Sequence, residues 1–174
     1  MEAHLPIPIY IANDADCAAL GETIAGAGRD YQDVIMLTLG TGVGGGIVLD
    51  GSIYEGKGIG GSELGHMVIV EDGEQCTCGR KGCLEAYVSA TALIRDARRA
   101  VGKELTPEEI FSMAKEDREL KEVTDSYIKR LGTGIVNIVN IFRPQLVLLG
   151  GEISAQGEVL TEPLTESLAQ SCFG

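Results

Sequence analysis

His66, Cys76, Cys78 and Cys83 place one imidazole and three thiols within a short stretch of this 174-residue chain. Three thiolates and an imidazole suit a closed tetrahedral zinc site, which needs soft or borderline donors and no open position. Gly79 and Gly82 let the loop between them double back. Arg80 and Lys81 favour the thiolate forms by their charge. The alternative is a set of free or disulfide-bonded cysteines beside an unrelated histidine. The total of five cysteines is odd and no secretory signal is visible, so the pattern favours a metal over a disulfide framework. Cys17 and Cys172 read as ordinary apolar residues.

Two carboxylates flank this loop. Glu63 lies three residues before His66 and Glu85 two after Cys83. Carboxylates accept hydroxyl hydrogen bonds, which suits a polyol such as a sugar, although a solvated surface is the usual place for Glu. A metal would tether both to one rigid knot. The run Thr38 to Gly46 is a glycine-rich turn between two strands, and Gly40, Thr41 and Gly42 could aim amides and a hydroxyl at a phosphate. It is no Walker A loop, since no Gly-Lys-Ser/Thr follows. A ligand-free glycine hairpin is at least as common. Asn13 and Asp14 stand where a strand gives way to a helix, a place where ligand groups collect and equally a place for helix caps.

The elements that must position these groups follow from the pattern. Pro6 to Ile11 reads as a short strand, Ala15 to Ala27 as an Ala-rich helix, and Val34 to Leu39 and Val43 to Leu49 as strands. Asp50-Gly51 is a hairpin signal, with Ser52 to Tyr54 returning. A glycine-rich loop spans Gly56 to Gly61, and Met67 to Val70 reads as a further strand. Leu84 to Val101 reads as one helix. Thr106-Pro107-Glu108-Glu109 starts a short helix to about Ala114 with an N-cap, a first-turn Pro and a capping-box Glu. Glu119 to Phe142 reads as a long helix in which Gly132 and Gly134 mark close packing. Gln145 to Leu149 is a buried strand ending at Gly150-Gly151, and a helix begins near Gly157.

The formal net charge of −12 repels polyphosphate backbones, which argues against a nucleic-acid module while leaving room for a small phosphate ligand. No apolar run is long enough for a bilayer, and the start of the chain has no signal-peptide pattern, so the expectation is a cytoplasmic protein without a membrane partner.

Gly61-Ser62-Glu63-Leu64-Gly65-His66 resembles the Glu-x-Gly-His motif of the ROK family of sugar kinases and repressors. Cys76-Thr77-Cys78-Gly79-Arg80-Lys81-Gly82-Cys83-Leu84-Glu85 is similar to that family's Cys-x-Cys-Gly-x-x-Gly-Cys-x-Glu zinc motif. Order and spacing agree in both, and the similarity runs from Pro6 to about Pro163. Within the family the details are most like the bacterial glucokinases.

The resemblance implies an α/β fold, an actin-like ATPase or ribonuclease H-like lobe with a zinc-binding loop over 66–83. It implies that residues 1–174 form one C-terminal-lobe region, because the family's Asp-x-Gly-Gly-Thr phosphate loop, carried in an N-terminal lobe, occurs nowhere here. It also implies a missing closing helix, and slow or no turnover by this portion alone. The implied reaction is ATP-dependent phosphorylation of a hexose, glucose to glucose 6-phosphate, with an N-acetylglucosamine or N-acetylmannosamine kinase and a sugar-sensing repressor domain as alternatives. Asp14 would be the general base. Asn13, Asp14, Glu63, His66 and Glu85 would hold the sugar, with His66 also a zinc ligand beside Cys76, Cys78 and Cys83. Gly40, Thr41 and Gly42 would approach the nucleotide phosphates and Gly150-Gly151 would flank the adenosine, with Mg2+ arriving on ATP and Zn2+ structural. A homodimer is compatible with the family and not fixed by the sequence. One departure is Asp16, where the family usually has Asn; an extra carboxylate there would act on Asp14 or on phosphate.

Overall fold

Successive side chains along Val34–Leu39 (β1), nearly all buried, alternate between two different cores, and that division organises the molecule. In the computed structural model, which describes Ile7 and residues 11–57 and 62–172, β1 is a central strand. It pairs antiparallel with β2 (Val43–Leu49) and parallel with β4 (Leu146–Gly150), while β3 (Ser52–Ile53) extends the other edge, giving the order β3-β2-β1-β4. Val34 and Met36 join Ala19 and Val48 under α1 (Asp14–Ala25). Ile35, Leu37 and Leu39 face the larger core, closed by α2 (Glu85–Val88), α3 (Ala90–Val101), α4 (Pro107–Met113), α5 (Arg118–Phe142) and α6 (Glu158–Ser171). Among the described residues the result is a three-layer α/β arrangement with one helix on one face and five on the other.

The glycines of β2 set the distance of both layers. A Cβ on Gly46 would lie 2.5 Å from the Ala19 Cβ and 2.7 Å from the Ala15 carbonyl oxygen, so α1 rests directly on the strand backbone. On the opposite face a Cβ on Gly45 would strike Leu64 at 2.7 Å. The β2–β3 hairpin turns through Asp50 (φ 50°) and Gly51 (φ 71°), two successive left-handed residues, as a two-residue hairpin turn requires.

Most expected elements form, several with shifted ends. The strand expected at Pro6–Ile11 lies outside the described residues apart from Ile7 and Ile11, as do residues 58–61 of the loop expected at Gly56–Gly61. Three expectations are corrected. Leu84–Val101 is not one helix: Ser89, in extended conformation (ψ 159°), ends α2 and caps α3 by accepting from the Ala92 N–H at 3.1 Å. Met67–Val70 is not a sheet strand. Leu64–His66 forms a 3-10 turn, and Val68 makes only an isolated bridge to Cys83, because the Ile69 N–H finds the Gly82 carbonyl (2.8 Å) and no sheet edge. Cys17 is not buried in α1 but exposed.

The long helix α5 is continuous, with Asp117 as N-cap. The close packing expected at Gly134 occurs against Leu84, whose Cδ1 would stand 2.7 Å from an added Cβ. The Thr106–Glu109 capping box forms on both sides. No helix among the described residues is long and apolar enough to cross a membrane.

Candidate functional site

The Cys loop is a tight double-back. Cys76 N–H donates to the Arg80 carbonyl (2.8 Å) and Gly82 N–H to the Glu74 carbonyl (2.8 Å), with Gln75 bridged to Lys81. Gly79 (φ 89°) and Gly82 (φ 79°) make the two left-handed bends, and Gly82 lies against the Val70 carbonyl where no side chain fits. The ligand atoms of His66, Cys76, Cys78 and Cys83 consequently lie within 4.8 Å of one another. A tetrahedral zinc with bonds of about 2.3 Å to sulfur and about 2.0 Å to nitrogen has edges of roughly 3.8 Å (S···S) and 3.5 Å (N···S). Cys78 Sγ and Cys83 Sγ are 3.7 Å apart, and His66 Nδ1 and Cys76 Sγ 3.5 Å. The donor set and its spacing fit a tetrahedral metal.

The surroundings tune these donors unequally. The Arg80 backbone N–H and guanidinium pull the exposed Cys78 thiol down to about 6, whereas burial, helped by the neighbouring sulfurs, pushes Cys83 up to about 12. Arg80 also donates to the His66 carbonyl at 2.7 Å, fastening the histidine's backbone to the loop.

His66 turns its two nitrogens to different neighbours. Nδ1 faces Cys76, and Nε2 lies 3.9 Å from the Glu63 carboxylate, itself largely exposed. Glu85, the first residue of α2, is half-buried and reaches in two directions. Its Oε1 accepts from the Thr77 hydroxyl at 2.8 Å, and its Oε2 accepts from the Val43 N–H at 3.1 Å. Glu85 thereby joins the Cys loop to the turn at Gly40–Gly42, where a Cβ on Gly42 would lie 2.7 Å from Oε2.

The glycine turn is held from behind by α3. Ala90 N–H donates to the Gly40 carbonyl (2.7 Å), and the Thr91 hydroxyl donates to the Thr41 carbonyl (2.9 Å). Gly151 (φ 86°) packs on Leu39 with 2.5 Å between an added Cβ and the Leu39 oxygen. The parallel strands β1 and β4 thus deliver Gly40–Gly42 and Gly150–Gly151 to one sheet end.

Asn13 and Asp14 stand at the start of α1, on the far face of β2 from Leu64. The Asn13 side chain caps the helix, accepting from Ala15 N–H (2.9 Å) and Asp16 N–H (3.1 Å). Asp14 is exposed, and one of its oxygens accepts from the Ala15 N–H at 2.9 Å. Ala15 touches Gly44 and Gly46 while Gly65 touches the Val43 carbonyl, so the helix start and the Glu63–His66 turn flank the same half of β2. No hydrogen bond or ion pair among the described residues links Asp14 to Glu63, His66 or Glu85. Asp16 turns inward: it is 6% exposed, its Oδ1 has no partner among the described residues, and burial followed by the Glu55 charge holds its carboxyl above the usual range.

The sequence reading missed Thr77, the Val43 amide and the Ala90/Thr91 support. A hydroxyl between two metal-spaced cysteines was the only local signal; the amide partners depend on tertiary approach. A cleft of about 540 Å³ behind the Cys loop, lined by Glu74, Tyr87, Asp96, Arg99 and Arg130 among others, includes none of the expected site residues.

The profile of the ROK family matches residues 1–174. This chain belongs to the ROK family. A glucokinase of Thermotoga maritima is 37% identical to this ROK chain over 175 residues, covering 92% of it and 55% of the glucokinase. A xylose repressor of Caldicellulosiruptor bescii is 34% identical over 181 residues, covering 96% of the chain and 45% of the repressor. A ROK family glucokinase from Streptomyces griseus, solved in complex with glucose and AMPPNP, superposes with a TM-score of 0.90 at 30% identity, covering 99% of this chain and 61% of that one. The ROK chain therefore has the α/β, actin-like ATPase type of fold, and it spans about half the length of the curated relatives it matches.

Proposed function

We propose that this chain forms the C-terminal-lobe region of an ATP-dependent hexokinase that converts glucose to glucose 6-phosphate. The observation that carries the reading is Glu85, one carboxylate bonded at once to the metal-spaced Cys loop and to the glycine turn. A sugar kinase needs hydroxyl-accepting groups beside a turn that can aim amides at phosphate, and this tie supports that reading. Glucokinase relatives and the glucose- and AMPPNP-bound S. griseus structure support it.

In this reading Asn13, Glu63, His66 and Glu85 accept from or donate to the sugar hydroxyls. His66 Nε2 serves the sugar while Nδ1 faces the metal. Asp14 takes the proton of the attacking hydroxyl, and its carboxylate is exposed, with one oxygen accepting from the Ala15 N–H. Phosphoryl transfer asks mainly for positioning and charge stabilisation, so fixed sugar contacts and one placed base carry much of the protein's share. Gly40, Thr41 and Gly42 present backbone to the phosphates of ATP, which brings Mg2+ with it, and Gly150-Gly151 flank the nucleoside. His66, Cys76, Cys78 and Cys83 would hold Zn2+, whose contribution with four protein ligands is structural. We place the protein in the cytoplasm, where ATP is available and thiols stay reduced.

The xylose repressor match favours a second reading, a sugar-sensing domain without chemistry. A calorimetric panel of glucose, N-acetylglucosamine, N-acetylmannosamine and xylose, paired with a coupled ADP-release assay, separates the two. The kinase reading expects glucose to bind best, and to drive ADP release when the chain carries the N-terminal lobe that the resemblance implies. Xylose binding without turnover would replace it with the sensor, and no sugar binding at all would remove both.

A further inference from the structure

Val43 stands opposite Leu39 across the turn that the Gly40 N–H closes onto the Gly42 carbonyl at 3.0 Å, so the Val43 N–H points away from β1. On that side β3 pairs only with Val48 and Leu49, and the partner the N–H finds is Glu85 Oε2. The other end of the same carboxylate is in a harder position. Glu85 Oε1 lies 3.6 Å from Cys76 Sγ. Sulfur is a weak hydrogen-bonding partner and cannot fix this oxygen as a hydroxyl can. The Thr77 hydroxyl sits 2.8 Å from Oε1 and 3.9 Å from that sulfur, and its proton goes to the carboxylate. Among the described residues the Thr77 hydroxyl makes the shortest hydrogen bond to Oε1.

We propose that Thr77 is a positioning residue, whose hydroxyl holds Glu85 turned toward the Cys loop so that its second oxygen stays on the Val43 amide. The pair Thr77–Glu85 then makes the sugar side and the phosphate side of the site one unit: ordering either stiffens the other, and the coupling is reciprocal. This rests on the reading of Glu85 as a sugar contact, and it assigns Thr77 a role that the metal motif does not require of the residue between two cysteines. Thr77 is exposed, so its loss leaves no cavity.

The test uses Thr77→Val, which keeps the β-branched shape, and Thr77→Ser, which keeps the hydroxyl. Zinc content by elemental analysis serves as the control and stays at the parent value in both. Hydrogen exchange at the Val43 amide reads the tie without any ligand: Thr77→Val speeds it by about tenfold or more, the scale of a lost hydrogen bond to a charged group, and Thr77→Ser restores it. Glucose affinity, titrated with and without AMPPNP, falls about tenfold in Thr77→Val and recovers in Thr77→Ser. Val43 exchange equal in all three proteins overturns the proposal. Changed exchange with no glucose binding even in the parent protein keeps Thr77 as the holder of Glu85 and removes the sugar reading instead.

Discussion

Two glycine-rich segments meet at Glu85, and they are shaped by opposite means. The Cys loop, bent at Gly79 and Gly82, gathers side chains that converge, four metal-type donors with Arg80 clasping the His66 carbonyl. The β2 strand takes its form from side chains that are missing, since Gly44, Gly45 and Gly46 admit α1 on one face and Leu64 on the other. A loop built by ligands can be dismantled by chemistry that leaves the rest of the molecule intact. A strand built by close approach is insensitive to that chemistry and intolerant of a single added methyl group. A site that spans both inherits rigidity from each, and loses it in different ways.

Removing the metal should break the contrast most visibly. A chelator, or Cys83→Ser, costs upwards of about 4 kcal/mol, the range in which lost metal sites fall. Hydrogen exchange then rises across residues 66–83 while the Ala90 amide, bonded to the Gly40 carbonyl, stays protected. Asp14→Asn acts on the other side. Turnover falls by about 10²–10⁴-fold, the usual contribution of a general base, with glucose affinity and zinc content unchanged. Near-parental turnover removes Asp14 from the mechanism. Gly46→Val forces a side chain against the Ala15 carbonyl, a backbone atom that cannot yield, and costs about 1–3 kcal/mol in denaturant unfolding without loss of zinc. Ser89→Ala, which removes the cap of α3 and with it the backing of the glycine turn, costs about 1 kcal/mol by the same measurement.

The smallest effect is a pH dependence. The folded protein holds Asp16 protonated more firmly than the unfolded chain does, because burial and Glu55 raise its pKa. Stability therefore falls as pH rises from the unfolded value through the folded one. Asp16→Asn should raise the melting temperature at neutral and alkaline pH, and the gain should vanish below the ordinary Asp range. An equal gain at every pH would mean that the charge is not what Asn removes.

The sequence made some of this legible because the information is local. The Cys76–Cys83 spacing, the Asp50-Gly51 turn and the Thr106 capping box are each short-range; the turn and the capping box form as expected, and the three thiols converge with His66. Val68-Ile69-Val70 has strand composition but no sheet edge to join, since its amides are taken by the Gly82 carbonyl. Ser89 interrupts a helix whose apolar spacing continues across it, so periodicity hides the break. The contact of Glu85 with Val43 bridges 42 residues, and no local pattern encodes it. Family resemblance supplied the residue roles; the geometry adds what connects them.

The central claim is that a metal-organised loop holds acidic groups in place for a hexose. Calorimetric titration of glucose into the zinc-loaded protein, repeated after complete chelation and again after zinc is restored, tests it most directly. The account predicts saturable binding that disappears with the metal and returns with it. Glucose affinity that is the same in all three titrations would contradict it.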